Sequence, residues 1–370
     1  MCGMLVDEEL KNIDERVRSL FKVEVAFKES SFKPPSYIIR VESGLKQSFK
    51  EFCEFLKYYG LMPKLFSGEA DSLQSGRVSL KLLPLNQMKI HRVSINIILL
   101  LVTLITIAST GVYLSISGPF LEVYPESSVP LVSFGFTLSL MGIVGLHELG
   151  HMVSLKNARS ETSLPYFIPG IPIIGLPTFG AIILQRTPPV NRDTLFDMGI
   201  SGPLMSFTVS LIVIIIGSLM SKIISPSYAA YLLEKYPGLS PLPVPLIFII
   251  VQGVLFSSPE GVVFMHPIAY AGWLGLIITA LNLFPIGQLD GGHSARAVLG
   301  EKWSKYASYA MIIVLIVLGY WLMALLVFLI GGLKNQGPLD DVTPLTRGRK
   351  ILWGVSMLLL VLSITPLLVF

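Results

Sequence analysis

Cysteine and charge are both scarce in this chain. Only Cys2 and Cys53 occur in 370 residues, and neither belongs to a Cys-x-x-Cys pair. A disulfide framework and thiolate metal sites are therefore not expected. Charged residues make up 14% of the sequence, against about 25% in ordinary soluble proteins. The net charge is only +4, and no basic run interleaved with aromatics is present. Nucleic acid is therefore not an expected partner. The opening residues, MCGMLVDEEL, have no apolar core of a signal peptide, so no cleaved leader is expected.

Hydrophobic residues fill the place of the missing charge, at 52% of the sequence. The charges that remain are uneven, with half of all Lys, Arg, Asp and Glu falling within residues 1–90. This asymmetry predicts a soluble module at 1–90 joined to a membrane module at 91–370. In the first module, Ser36–Ser43 has the β-branched and aromatic content of a strand. Leu45–Tyr59 places Phe49, Phe52, Cys53, Phe55 and Leu56 at helical spacing, with Gly60 placed to end the helix. Met62–Ser67 and Val78–Leu83 read as two more strands, so the expected order is β-α-β-β, with an earlier helix near Glu8–Phe21. A small α+β domain is the fold this implies.

From Val93 onward the pattern is that of an all-α polytopic membrane protein. Val93–Ile116, Leu131–Leu155, Gly199–Met220, Ile268–Phe284, Tyr306–Ile330 and Ile351–Phe370 are apolar runs. Read against the roughly 20 helical residues that a bilayer core requires, they predict about six spans, the fourth being short. Val244–Phe256 is a weaker apolar stretch that would enter the membrane without crossing it. The loop at 117–130 carries Glu122 and Glu126 and no cation, whereas Lys156, Arg159, Arg186 and Arg192 follow the second span and Arg296, Lys302 and Lys305 the fourth. By the positive-inside rule the first loop faces outward, and both termini and the N-terminal module are cytosolic. One loop resists this scheme: six spans would place Lys334, Arg347, Arg349 and Lys350 outside. A tight hairpin within 306–333 would bring that loop inside, although 28 residues are few for two full crossings. Leu164–Val190 is dense in Pro and Gly and cannot be a continuous helix. It is expected to be a re-entrant loop beside a cavity, since irregular backbone survives at membrane depth only when covered.

Three acids lie in or at the edge of apolar spans: Glu148, Asp197 and Asp290. Glu148 belongs to His147-Glu148-Leu149-Gly150-His151. Two histidines four apart on a helix share one face, so both imidazoles reach one metal ion. Glu148 beside them is placed as general base for an attacking water. A buried polar cluster that stitches helices together is the plainer reading. Three ionisable groups in five residues are costly for that purpose alone. A catalytic zinc needs a third protein ligand and one open position. Asp290, His293 and Asp197 are the candidates, with helix capping the plainer role for either aspartate. His147 lies 16 residues from the outer end of its span, roughly 24 Å down. That depth is near the cytosolic surface, where Asp290 also falls.

HELGH at 147–151 together with NLFPIGQLDGG at 282–292 resembles the site-2 protease family of intramembrane metalloproteases. Thr178-Phe179-Gly180-Ala181 and Ser201-Gly202-Pro203-Leu204 are similar to further family elements. His266–His293 and PLDDVTPL at 338–345 look like the archaeal and chloroplast branch. The resemblance covers roughly 91–370. It implies one Zn2+ held by His147, His151 and Asp290, with Glu148 as general base. It implies that Asn282 holds the substrate backbone or the developing oxyanion, the plainer reading of Asn282 being a hydrogen bond to a neighbouring helix. The TFGA segment would offer an extended edge to an unwound substrate. The partners implied are a transmembrane protein substrate and the lipid bilayer. Lys222–Met265 is too short for the PDZ domain that many bacterial members carry there. The rival functions are a catalytically inactive zinc-binding scaffold and a metal or proton transporter. No second copy of either motif is present, whereas transporters often show repeated halves.

Overall fold

The structure, a computed structural model, describes residues 7–27, 35–66, 76–85, 93–172, 175–185, 187–256, 261–317, 319–321, 324–325, 328, 335 and 337–364. Arg186, Lys334 and most of the fifth apolar run beyond Val317 lie outside the described residues.

The chain opens with α1 (Asp7–Leu20), β1 (Val23–Phe27), β2 (Ser36–Arg40), α2 (Leu45–Lys57), β3 (Leu61–Phe66) and β4 (Arg77–Pro84). All pairings are antiparallel and the strand order is β1-β2-β4-β3. The helix on α2 follows its periodicity: Leu45, Phe49, Phe52, Cys53 and Leu56 are buried, with Lys and Glu on the other face. Gly60, at φ +65°, turns the chain into β3. The expected β-α-β-β order needs correction, because β1 precedes it. Val25 and Phe27 of that edge strand are left exposed, so its burial pattern lacks the alternation seen on β2 and β4. The core of this sheet is closed by a residue from far along the chain, Leu339.

Next come α3 (Val93–Ile116), a short α4 (Gly118–Val123) and α5 (Val129–Asn157), then β5 (Tyr166–Ile171) and β6 (Leu176–Ile182). The third long helix is α6 (Arg192–Leu219). Among the described residues three helices, α3, α5 and α6, are long and apolar enough to cross a membrane, and the protein is a multi-pass membrane protein. On α3 the buried face carries Asn96, Thr103, Thr110, Gly111 and Ser115 with one aliphatic residue, Ile107, while Ile97, Ile98, Leu101 and Ile105 point outward. That inversion is expected where small and polar residues pack helices and lipid meets the aliphatic face. The segment expected to be a re-entrant loop is an antiparallel hairpin, β5–β6. It is pinned to α3 where Asn96 Nδ2 donates to the carbonyls of Leu164 and Pro165, at 3.0 and 2.9 Å. Thr106 Oγ1 lies 2.8 Å from the Pro177 carbonyl.

The third span was expected from Gly199, yet α6 begins seven residues earlier, at Arg192, capped by Asn191 Oδ1 accepting from Thr194 N. Its charged first turns are paired. Arg349 forks Asp197 at 2.7 and 2.6 Å, and Lys46 reaches Asp193 at 2.5 Å.

The remainder is β7 (Lys222–Ile224), α7 (Pro226–Lys235), α8 (Leu246–Leu255), β8 (Val262–Phe264), α9 (Pro267–Leu283), α10 (Asp290–Val317) and α11 (Arg347–Ser363). At 10 residues α8 is too short to cross. The fifth span is expected from Tyr306, yet α10 begins 16 residues earlier, at Asp290, and bends at Gly300, where φ is +80°. It ends at Val317, where Gly319 at φ +82° and Tyr320 N donating to Leu315 O close the last turn. By Asn335 the chain has returned beside the start of α10, donating to Gly287 O at 2.7 Å. Residues 337–349 pack against the N-terminal sheet and the first turns of α6, on the side of Arg159 and Arg192. At the far ends of α3 and α5, Glu122 accepts from Lys235 and Tyr236, closing a cap of residues 117–128 on residues 222–236.

Candidate active site

The site is built where α5, α6 and α10 meet. His147 and His151 are one turn apart on α5, and both are buried. Pro285 ends α9 because it cannot continue the ladder, and Ile286 N turns back to Phe284 O at 2.7 Å. Leu289 N closes on Ile286 O, and α10 then starts with Asp290, so its carboxylate stands at a helix N-terminus. Negative charge is favoured there by the helix dipole.

Three ligand atoms converge. His147 Nε2 and His151 Nε2 are 3.1 Å apart, and Asp290 Oδ2 lies 3.1 Å from the first and 3.2 Å from the second. Bonds to zinc of about 2.0–2.1 Å at tetrahedral angles would separate such atoms by roughly 3.3–3.4 Å. The triangle fits within a few tenths of an ångström. The outer contacts fix which nitrogen faces inward. His151 Nδ1 lies 2.8 Å from Met198 O. A carbonyl only accepts, so Nδ1 carries the proton and Nε2 presents its lone pair. His147 Nδ1 lies 3.1 Å from Ser206 Oγ, which donates to Pro203 O at 3.2 Å and so keeps lone pairs for the imidazole. Thr279 Oγ1 reaches the same serine at 2.9 Å. Two imidazole lone pairs and a carboxylate oxygen aimed at one point are the donor set of a divalent cation.

Among the described residues, His147, His151 and Asp290 are the only group of His, Cys, Asp or Glu so clustered. Asp197 is engaged by Arg349 instead. His293 is one turn beyond Asp290 on α10, outside the cluster. Glu148 is buried beside the pair on α5. Asn282 lies in the last turn of α9, half-buried, and among the described residues its amide makes no hydrogen bond.

Close approach of helices is part of the site. A Cβ on Gly202 would lie 2.2 Å from His151 Nε2, and one on Gly199 would lie 2.5 Å from Asp290 O. In the sequence Ser201-Gly202-Pro203-Leu204 is legible only as a resemblance, and Met198, Ser206 and Thr279 are not legible as site residues. Their types carry no signal, since any residue offers a carbonyl and serines are common.

A family model described as peptidase family M50 matches residues 135–326, just over half of the chain. The chain is 29% identical over 262 residues to an Arabidopsis thaliana protein described as probable zinc metalloprotease EGY1, chloroplastic, covering 68% of this chain and 46% of that one. Its counterpart in Oryza sativa subsp. japonica is 30% identical over 252 residues, covering 66% and 42%. An Oryza sativa subsp. indica protein described as probable zinc metalloprotease EGY2, chloroplastic, is 29% identical, covering 45% and 29%. The chain thus spans less than half the length of the curated relatives it matches. No solved structure matches it. Since the matched stretch contains both the helix bearing HELGH and the turn bearing Asp290, the chain belongs to peptidase family M50, the site-2 protease family.

Proposed function

We propose that this chain is an intramembrane zinc metalloendopeptidase that hydrolyses peptide bonds within transmembrane segments of membrane-protein substrates. The observation that carries this reading is the convergence of His147, His151 and Asp290 within 3.2 Å of one another among apolar helices. One Zn2+ per chain would be held by these three residues and would supply Lewis acidity for the attack of water. Glu148 acts as general base: it takes the proton from the attacking water and delivers it to the leaving amine. Asn282 offers its amide to the substrate backbone or to the developing oxyanion. A helical substrate hides its peptide bonds, so it must become extended before attack. Thr178–Ala181 on β6 provides a strand against which an unwound segment pairs.

The topology that accompanies this reading is polytopic, with residues 337–349 on the cytosolic side. The β5–β6 hairpin is the re-entrant element, and residues 1–90 form a separate α+β domain on the cytosolic side of a cell membrane. The pairing of 337–349 with the N-terminal sheet supports one common side for these segments.

The test is cleavage of a single-pass model substrate by the purified full chain in detergent, comparing wild type with Glu148→Gln at matched zinc content. Cleavage by the wild type only, abolished by a chelator and restored by zinc, is expected. Zinc or proton flux in liposomes without cleavage would favour a transporter. Bound zinc with neither activity would favour a scaffold.

A further inference from the structure

PLDDVTPL at 338–345 has no part in the chemistry above, yet it is held at both ends. Leu339 is buried in the core of the N-terminal sheet, and Leu345 in the core formed with Leu195, Ala280 and Leu283. Leu65 N donates to Leu339 O at 2.9 Å, while Leu339 N and Asp340 N donate to Pro189 O and Val190 O at 2.9 and 2.8 Å. The strap thus runs as an extra strand between β3 and the residues leading into α6. Asp340 is fully buried and folds the turn: its Oδ1 accepts from Val342 N and Thr343 N, and its Oδ2 from the Thr343 hydroxyl.

Asp341, next in the strap, faces the two helices of the site. Its Oδ1 and Oδ2 take a two-point fork from Arg296 at 3.1 and 2.5 Å. Arg192 donates from Nε to Oδ1 at 3.1 Å and from Nη2 to the Asp341 carbonyl at 2.8 Å. Arg192 is the first residue of α6 and Arg296 lies on α10. Each stands six residues from a site group, Met198 on α6 and Asp290 on α10, or roughly 9 Å along a helix. Met198 O and Asp290 Oδ2 grip the two nitrogens of His151 from opposite sides, at 2.8 and 3.2 Å. The spacing of α6 and α10 therefore sets the aim of both His151 and Asp290, and one carboxylate on a third segment bridges these helices.

We propose that Asp341 is a positioning residue for the metal centre, holding α6 and α10 in register through Arg192 and Arg296 so that His151 and Asp290 point at a common ion. This rests on the metalloprotease reading. Arg296 is buried, and a forked guanidinium–carboxylate contact is directional in a way that a single ammonium contact is not. Groups bonded directly to a metal ligand change metal affinity by about 10- to 100-fold when lost, and Asp341, acting one step further out through two helices, is expected at the lower end of that range.

The experiment uses the full chain in detergent, with folding followed by circular dichroism and gel filtration. Zn2+ affinity is read by chelator competition, and coordination geometry by the visible absorption of the Co2+ form. Asp341→Asn is expected to weaken Zn2+ binding by about tenfold or more and to alter the Co2+ spectrum. Arg296→Lys, which keeps the charge but loses the fork, is expected to do the same to a smaller degree, and decides the matter alone if Asp341→Asn does not fold. Zn2+ affinity within about twofold of wild type and an unchanged Co2+ spectrum in the folded variants would overturn the positioning role. His147→Ala separates the two readings. If it loses Zn2+ while the Asp341 variant does not, the positioning role alone fails. If it binds Zn2+ as the wild type does, the metal centre itself is wrong and the proposal falls with it.

Discussion

His147 and His151 were visible in the sequence because helical geometry alone puts residues i and i+4 on one face. Glu148 came with them as the acid inside the same turn. Replacing Glu148 with Gln keeps the volume and removes the base, so cleavage is expected to fall by about 100-fold or more while zinc content holds. Rate and metal analysis on one preparation check both halves. Gly202 could not be read the same way, since its importance lies in what stands opposite it. Gly202→Ala would place a methyl group 2.2 Å from His151 Nε2, so the ring must move. The expected result is about a tenfold or greater loss of zinc affinity in a folded protein, measured by chelator competition. Met198 was equally invisible, because it acts through a carbonyl that every residue possesses.

At the scale of elements, apolar runs gave the helices and charge misplaced their ends. Arg192, Asp193 and Asp197 argue against a membrane helix in isolation, yet α6 starts at Arg192 because partners from three other segments pair those charges. The Pro and Gly content of 164–190 excluded a helix without revealing a hairpin. Which strand residues pair, and what anchors them, depends on α3. Both amide hydrogens of Asn96 go to the hairpin entrance. Asn96→Leu leaves two carbonyls without a donor, at about 1–3 kcal/mol. Amide exchange across Tyr166–Ile182 is expected to quicken by about tenfold or more, with α5 and α6 unchanged, as followed by hydrogen–deuterium exchange.

For the whole molecule, the membrane module carries its own pH limit. His266 caps α9, its Nδ1 accepting from Ile268 N at 3.2 Å, and burial pushes its imidazole down to about 4. The unfolded chain, with an imidazole near 6.5, takes up the proton first. Stability is therefore full above about pH 6.5, declines as pH falls and reaches its floor below about 4, for a total on the order of 3 kcal/mol. Denaturation midpoints in detergent from pH 7.5 to 4 are expected to drop for the wild type. His266→Asn, which can cap without titrating, should show a flatter profile. At the same scale, residues 337–349 pack against the N-terminal sheet and the first turns of α6, a contact that no count of apolar runs contains.

The sequence by itself determined that this is a chain of membrane helices with a soluble-type α+β start and a paired-histidine motif in its second span. Those properties follow from local periodicity and from the cost of burying ionisable groups. Only the tertiary structure decided that Asp290, rather than Asp197 or His293, meets the imidazoles. It also decided which carbonyl and hydroxyl aim them, and that a strap from residue 339 onward ties three segments together. Each of these depends on contacts between residues scores of positions apart, and the approach of two helices to within a glycine's breadth leaves no local pattern to read.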